Sequence, residues 1–489
     1  MMYFTNVNLR ITSLIYLFIP NLIFTGAWFK DIISLPLACL LLLFVFDSVK
    51  SELNQDRLSV QTTYLPLKDI VILLLLSLGL CLVFGIGEYR QQTVDWGTNN
   101  FKVYDLVNYK WPTYYEKYNT FSSYYWAYYL PTAFLGKLLG IASCRYIILL
   151  WSWIGVFLIL IGLYKIGKGL KFVFLFLLFN NGNTLMFIIQ MLNIPYLNQF
   201  IINSNVRLAD FNITFWSPMI ASLQWVPQHL IPAGVTTLLI LNSESSKNYK
   251  LEILILLCNI IWSPLICIGL LPVVIARYFD KITNPQFYKL LPYCLLMIVP
   301  FIPSILYLTS NRAIGLSDTN GFIWTKSKFW IEGYLAFWLL NIAVWFFLIK
   351  ESLKSSKYKQ YLFCSLVAFA LLPLYRVGMF NDLLLRGIIP STFVLGVFII
   401  QQLINLKIRS FKFIVYTLLL CFLSVPSFIR ILEGIRPSSP VTSIASPFQG
   451  DMKNTMDFLK EVYTERALVQ YQLQSDSFCE KYLLDTAKD

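Results

Sequence analysis

The chain is short of charge and nearly devoid of histidine. Only 13% of its 489 residues are charged, against roughly a quarter in soluble domains. That excludes an ordinary soluble fold. His229 is the single histidine, and none of the nine cysteines forms a CxxC or joins a Cys/His cluster. A zinc centre or a His-based triad is therefore hard to build. Eight cysteines (Cys39, Cys81, Cys144, Cys258, Cys267, Cys294, Cys364, Cys421) lie in or beside apolar runs, where they read as small buried apolar residues. A Walker A sequence is missing, which argues against an ATP-driven pump. So is a GxSxG element. No repeat, low-complexity tract or large soluble domain interrupts the chain, and no inverted repeat with matched broken helices stands out, which counts against a secondary transporter.

What the chain has is apolar length. It is 57% hydrophobic, with a mean hydropathy of +0.63. Spans of about 20 apolar residues are expected at 11–29, 31–48, 68–86, 144–164, 172–190, 217–241, 289–309, 331–350, 358–375, 385–405 and 413–429. The first run is too long for a signal-peptide core and reads as a retained span. The apolar segment 251–276 is broken by Ser263-Pro264 and has basic flanks on both sides. It reads as a hairpin of two short helices; a single span is the alternative.

The net charge of +13 comes largely from lysines and arginines in short loops between apolar runs. That is how membrane topology is written, so no nucleic-acid partner is expected. With 251–276 as a hairpin, the loops around Lys50, Lys165–Lys171, Lys247/Lys250, Arg277/Lys281/Lys289, Lys350–Lys359 and Lys407–Lys412, together with Arg10, all fall on the cytoplasmic side. The other side receives 87–143, 191–216, 310–330, 376–384 and a tail, 431–489, that starts with a Pro/Ser-rich linker and has a helical pattern from Met452 to Val469.

The largest polar island is Gly87–Gly140. Within it a helix over 95–107 would put Asp95, Asn99 and Lys102 on one face, at i, i+4 and i+7. A carboxylate base beside an anion-holding cation is one meaning; a local ion pair is the other. The Tyr114-Tyr115 and Tyr124–Tyr129 run, with Trp126, reads either as an interfacial belt or as a stacking wall for a sugar ring. The segment that follows, ending Gly136–Gly140, is expected to lie as a helix on the membrane face. His229 sits near the outer end of its span as either a core residue or a functional ionisable group. Asp382 and Arg386 stand at i, i+4 at a helix entry, with Arg376 nearby. They are either a capping pair or, through the two arginines, a site for a lipid phosphate.

The order is a span, an outer loop with an early acidic residue, Ser123-Tyr124-Tyr125-Trp126, then Leu138-Leu139-Gly140 and Arg145. This resembles the GT-C superfamily of membrane glycosyltransferases, in which a segment of the type Pro-Pro-Leu-x-Tyr-Trp precedes a short helix ending Phe-Gly. Here the Pro-Pro is absent, and the acidic residue is a lone Asp before Trp96. The resemblance covers 87–165 and is diffuse elsewhere. It implies an all-α polytopic membrane protein, a GT-C-like bundle of about 11–13 transmembrane helices over 1–430, with a long first outer loop carrying interface helices and a small extracytoplasmic tail at 431–489.

The resemblance further implies a hexosyltransferase of the bacterial cytoplasmic (inner) membrane, N-terminus inside. The donor is a polyprenyl-phosphate sugar embedded among membrane lipid, and the acceptor an envelope glycan, a surface polysaccharide or O-antigen. Asp95 is the expected base, with Glu88 the alternative. The expected substrate-binding set is Glu88, Lys102, Tyr124, Tyr125, Trp126, His229, Arg376, Asp382 and Arg386. With no paired carboxylates at this site, neither metal nor other cofactor is expected. The rivals are a polysaccharide polymerase or ligase, and a non-enzymatic flippase of lipid-linked oligosaccharides.

Overall fold

Hydrocarbon offers the backbone no hydrogen-bond partner, so apolar runs of this length fold as helices. The computed structural model describes residues 6–486 apart from 57–64, 91, 194, 197–198, 200–210, 212–218, 244–247, 282–284, 317–318, 356–358, 379–380, 409, 437–441, 448–451 and 464. Most of the expected loop 191–216 and the linker Pro437–Pro440 thus lie outside the described residues. In order the helices are α1 Asn6–Trp28, α2 Asp31–Asp56, α3 Leu67–Val83, α4 Asp95–Asn108, α5 Leu130–Leu139, α6 Cys144–Gly167, α7 Leu170–Leu178 and α8 Thr184–Met191. There follow α9 Ile220–Trp225, α10 Pro227–Asn242, α11 Tyr249–Cys258, α12 Pro264–Tyr278, α13 Pro285–Ile298, α14 Ile302–Thr309, α15 Trp330–Asn341 and α16 Phe346–Ser355. The last are α17 Lys359–Leu371, α18 Asp382–Gly387, α19 Ile389–Asn405, α20 Phe411–Leu423, α21 Val425–Ile435, α22 Thr455–Val462 and α23 Glu465–Val469. Among the described residues strand is confined to two short ladders, Tyr114–Tyr115 with Thr120–Phe121 and Gly321–Phe322 with Tyr375–Arg376.

Among the described residues seven helical stretches are long and apolar enough to cross a membrane. The chain is an all-α, multi-pass membrane protein. Its centre is α19, buried along most of its length, with α10 and α6 beside it. Helices α6 and α10 approach closely because small residues face the partner. A Cβ on Gly155 would come within 2.5 Å of Ile231, and one on Gly234 within 2.9 Å of Ile159.

Three expected spans carry interruptions, two of them within stretches still long enough to cross, Trp330–Lys354 and Phe411–Ile435. The run 172–190 parts into α7 and α8 around Asn180-Asn181-Gly182-Asn183, 331–350 parts at Asn341, and 413–429 parts at Ser424, just ahead of Pro426. The three breaks meet. Gly182 N donates to Leu340 O (2.7 Å), Asn181 Nδ2 to Asn341 Oδ1 (2.7 Å), Trp345 Nε1 to Asn180 O (3.2 Å) and Thr184 Oγ1 to Leu423 O (2.7 Å). Each interruption frees backbone groups that the next one satisfies, which is how interrupted helices persist in apolar surroundings.

Helices α11 and α12 form the hairpin. Arg277, at the end of α12, meets Glu252, in the first turn of α11, with Nη2–Oε1 at 2.7 Å. Arg10 of α1 and Glu52 of α2 join them (Arg10 Nε–Glu52 Oε1 3.1 Å; Arg10 Nη2–Glu252 Oε1 3.7 Å). All four side chains are buried, so Arg10 and Arg277 are not solvated loop cations.

Residues 471–473 of the tail are hydrogen-bonded on both sides. Ser123 N donates to Tyr471 O (2.9 Å), Leu473 N to Phe121 O (3.0 Å) and Arg312 N to Gln472 O (2.9 Å). The helical pattern Met452–Val469 is realised as α22 and α23, parted at Tyr463.

Candidate functional site

Helix α4 forms where the spacing of Asp95, Asn99 and Lys102 places it. It buries Trp96, Phe101, Val103 and Leu106. Trp96 Nε1 donates to Gln224 O (3.0 Å), tying α4 to α9. Gly97 costs helix propensity, but any Cβ there would come within 2.4 Å of the Phe458 ring, so glycine is what lets α22 lie on α4. The face of α4 that carries Asp95, Asn99 and Lys102 opens on a cavity of about 480 Å³.

Asp95, Asn99, Lys102, Tyr124 and Tyr125 line this cavity, with Gln228 of α10, Pro264, Leu265 and Ile268 of α12, and Asp382 and Arg386 of α18. Leu308, Ile314 and Leu316 add an apolar flank, and the tail adds Tyr463, Gln470 and Tyr471. One wall is thus charged and aromatic, the other aliphatic. The aliphatic wall continues outward along α12, whose Ile268, Leu271 and Ile275 are exposed at i, i+3 and i+7.

Asp95 is half-buried, and its Oδ1 accepts from Tyr463 OH at 2.8 Å. Among the described residues it forms no ion pair, so the local Asp95–Lys102 bridge is not what the helix builds. Lys102 is instead caged by rings. Its Nζ lies 4.1 Å from the centroid of Tyr124, 5.0 Å from Tyr471 and 5.2 Å from Tyr129. It donates to Asn99 Oδ1 (3.3 Å) and Tyr129 OH (3.5 Å). Burial holds the ammonium well below the usual lysine range, with Asp95 pulling it up and Arg386 pushing it further down. The amine has aromatic faces for company and no carboxylate in contact, so an incoming anion would favour its charged form. Tyr124 and Tyr471 stack at 4.6 Å.

Asp382 and Arg386 form an ion pair in the cavity wall, while Arg386 Nε is buried without a hydrogen-bond partner. The two N-terminal turns at Pro227 and Pro264 also face this space through Gln228 and Leu265. Helix N-termini favour negative charge.

Four expected residues stand apart from the wall. The Glu88 carboxylate accepts from Ile444 N and from Ser443 Oγ (3.2 Å) and so anchors the tail. Trp126 points inward, its Nε1 donating to Tyr307 OH at 2.9 Å. Arg376 Nε donates to Gly378 O (3.2 Å), and Arg376 is not among the residues that line the cavity with Arg386. His229 lies one layer behind, its Nδ1 2.9 Å from Ser263 Oγ and its ring 4.9 Å from Tyr125. It ties α10 to the tip of the α11–α12 hairpin.

Little in the sequence marks Tyr463, Gln470 and Tyr471, which the fold brings into the wall. The only sequence signal was the tail's own run of Tyr and Gln, Tyr463 and Gln470 to Gln472. Among the described residues no three of His, Cys, Asp and Glu come together as metal ligands would. The chain matches no known family, no curated protein and no solved structure.

Proposed function

We propose that the chain is a GT-C-type glycosyltransferase moving a sugar from a polyprenyl-phosphate donor to an envelope glycan on the outer side of the cytoplasmic membrane. The observation that carries this reading is the two-sided cavity. Asp95, Lys102 and Arg386 share it with an aliphatic wall that runs out along α12. An amphipathic substrate, charged at one end and hydrocarbon at the other, fits such a space.

In this reading the isoprenoid tail lies against Ile268, Leu271 and Ile275. The phosphate faces Lys102 and Arg386, and Tyr124 and Tyr125 flank the sugar. Asp95 takes the proton of an acceptor hydroxyl as that oxygen attacks the anomeric carbon. The bond from that carbon to the phosphate oxygen breaks, and the leaving lipid phosphate keeps the electron pair. Lys102, Arg386 and the helix N-termini stabilise its charge. One base with in-line attack inverts the anomeric centre.

The test is Asp95→Asn in membranes supplied with polyprenyl-phosphate sugar. Transfer is expected to fall by about a hundredfold or more at unchanged expression; full activity removes Asp95 as the base. A second reading, flipping of a lipid-linked sugar, draws on the buried Asn180, Asn181, Asn183 and Asn341 where three helix breaks meet. Hydrogen bonds between the breaks tie them together rather than leaving an open path. Movement of labelled lipid that persists in Asp95→Asn, without any new glycosidic bond, would favour it.

A further inference from the structure

Two amides in the cavity wall carry polar atoms that the protein leaves unmet. Asn99 is 2% exposed and Gln228 4%. Among the described residues Asn99 Nδ2 and Gln228 Oε1 are both buried without a hydrogen-bond partner. Buried polar atoms are paired as a rule, and an unpaired one costs stability that a ligand restores on binding.

The orientation of Asn99 follows from its neighbours. Its Oδ1 accepts from Tyr129 OH at 2.6 Å and from Lys102 Nζ at 3.3 Å. With Lys102 charged, as a bound phosphate would keep it, its ammonium only donates, so the oxygen faces Lys102 and the NH2 group is turned away from it. Asn99 therefore lacks an acceptor, and Gln228 Oε1 lacks a donor. With the Gln228 amide turned as it is here, an anion would satisfy the first and be repelled by the second; a cation would do the reverse. A hydroxyl both donates and accepts.

We infer that Asn99 and Gln228 are the sugar-recognising pair of this cavity, binding neutral hydroxyls of a hexosyl group while Lys102 and Arg386 take the phosphate. The inference rests on the glycosyl-transfer reading and names the part of the substrate that the amides select. Sites built to pair a hydroxyl reject analogues that lack it, because the site's own polar atoms are then stranded.

Binding to purified protein in detergent tests this, with decyl phosphate compared against the decyl-phosphate esters of glucose, galactose, mannose and N-acetylglucosamine. At least one ester is expected to bind about tenfold more tightly than decyl phosphate. Gln228→Met, an apolar replacement of similar length, is expected to lose that gain without lowering Tm, since it removes an unmet acceptor. Asn99→Asp keeps the acceptor for Tyr129 and Lys102, lacks the donor, and is expected to lose the gain as well. The pairing is overturned if no ester gains over decyl phosphate, if both variants keep the gain, or if Gln228→Met lowers Tm by several degrees. Transfer is not read in this assay. Protein that discriminates the sugars yet transfers none refutes the reaction and leaves the amide pair standing.

Discussion

At the scale of the residue, the base candidate is held by a side chain 368 positions away: Tyr463 OH donates to Asp95 Oδ1. Burial, then the charge of Asp95, push the Tyr463 hydroxyl up from the ordinary tyrosine range, so it stays a donor at every working pH. Oδ2 remains for the acceptor's proton. Tyr463→Phe is expected to lower kcat about tenfold while leaving KM and Tm nearly unchanged, read by transfer kinetics and thermal unfolding. An equal loss in KM would mean that Tyr463 binds substrate rather than positions the carboxylate. The face Asp95, Asn99, Lys102 was legible because helical spacing is local. Tyr463 and Gln228 were not, since a group brought from another element leaves no mark near Asp95. Trp126 misled for a related reason. Composition marks the whole Tyr124–Tyr129 run, yet only the fold decides that Tyr125 faces the cavity and Trp126 faces Tyr307.

Among elements, the positions of the spans were largely legible and their interruptions were not. Hydropathy averages over a window, so Asn180–Asn183 disappears inside an apolar mean although four polar or flexible residues in a row were on view. The hairpin at 251–276 was legible because Ser263-Pro264 and basic flanks at both ends are local signals. That hairpin also sets where Arg386 stands. Gly269 of α12 lies against the backbone of Gly387, where a Cβ would meet the Gly387 carbonyl at 1.9 Å. Gly269→Ala would push α12 off the α18–α19 junction that carries Arg386. It is expected to cost about 1–3 kcal/mol, with loss of transfer exceeding the loss of folded protein, measured by thermal unfolding beside activity. Unchanged stability would show that the junction yields.

For the molecule as a whole, the tail lines the cavity, and its attachment is expected to weaken as pH rises. Asp105 of α4 is buried where α22 begins. Its Oδ2 accepts from Tyr115 OH (2.7 Å) and Thr455 N (2.8 Å). Burial pushes its carboxyl up to about 7 against those hydrogen bonds. A carboxyl raised on folding stabilises the folded state fully below its unfolded value, near 4, and that stability is lost as pH rises to about 7. Asp105→Asn keeps an acceptor for both donors and carries no charge. Its advantage over wild type is expected to grow from near zero at about pH 4 to a few kcal/mol at about pH 8, read as the difference in Tm across the range; a constant difference would overturn the assignment. At the far end of the bundle, the buried quartet of Arg10, Glu52, Glu252 and Arg277 bears on the order of synthesis. Arg10 and Glu52 belong to one helical hairpin, Glu252 and Arg277 to another made some 200 residues later. Each hairpin carries one positive and one negative charge across its own open end. The ribosome therefore delivers two units whose buried arginines are each already paired within the unit, and the first can wait in the lipid, its arginine already answered, until the second arrives to dock.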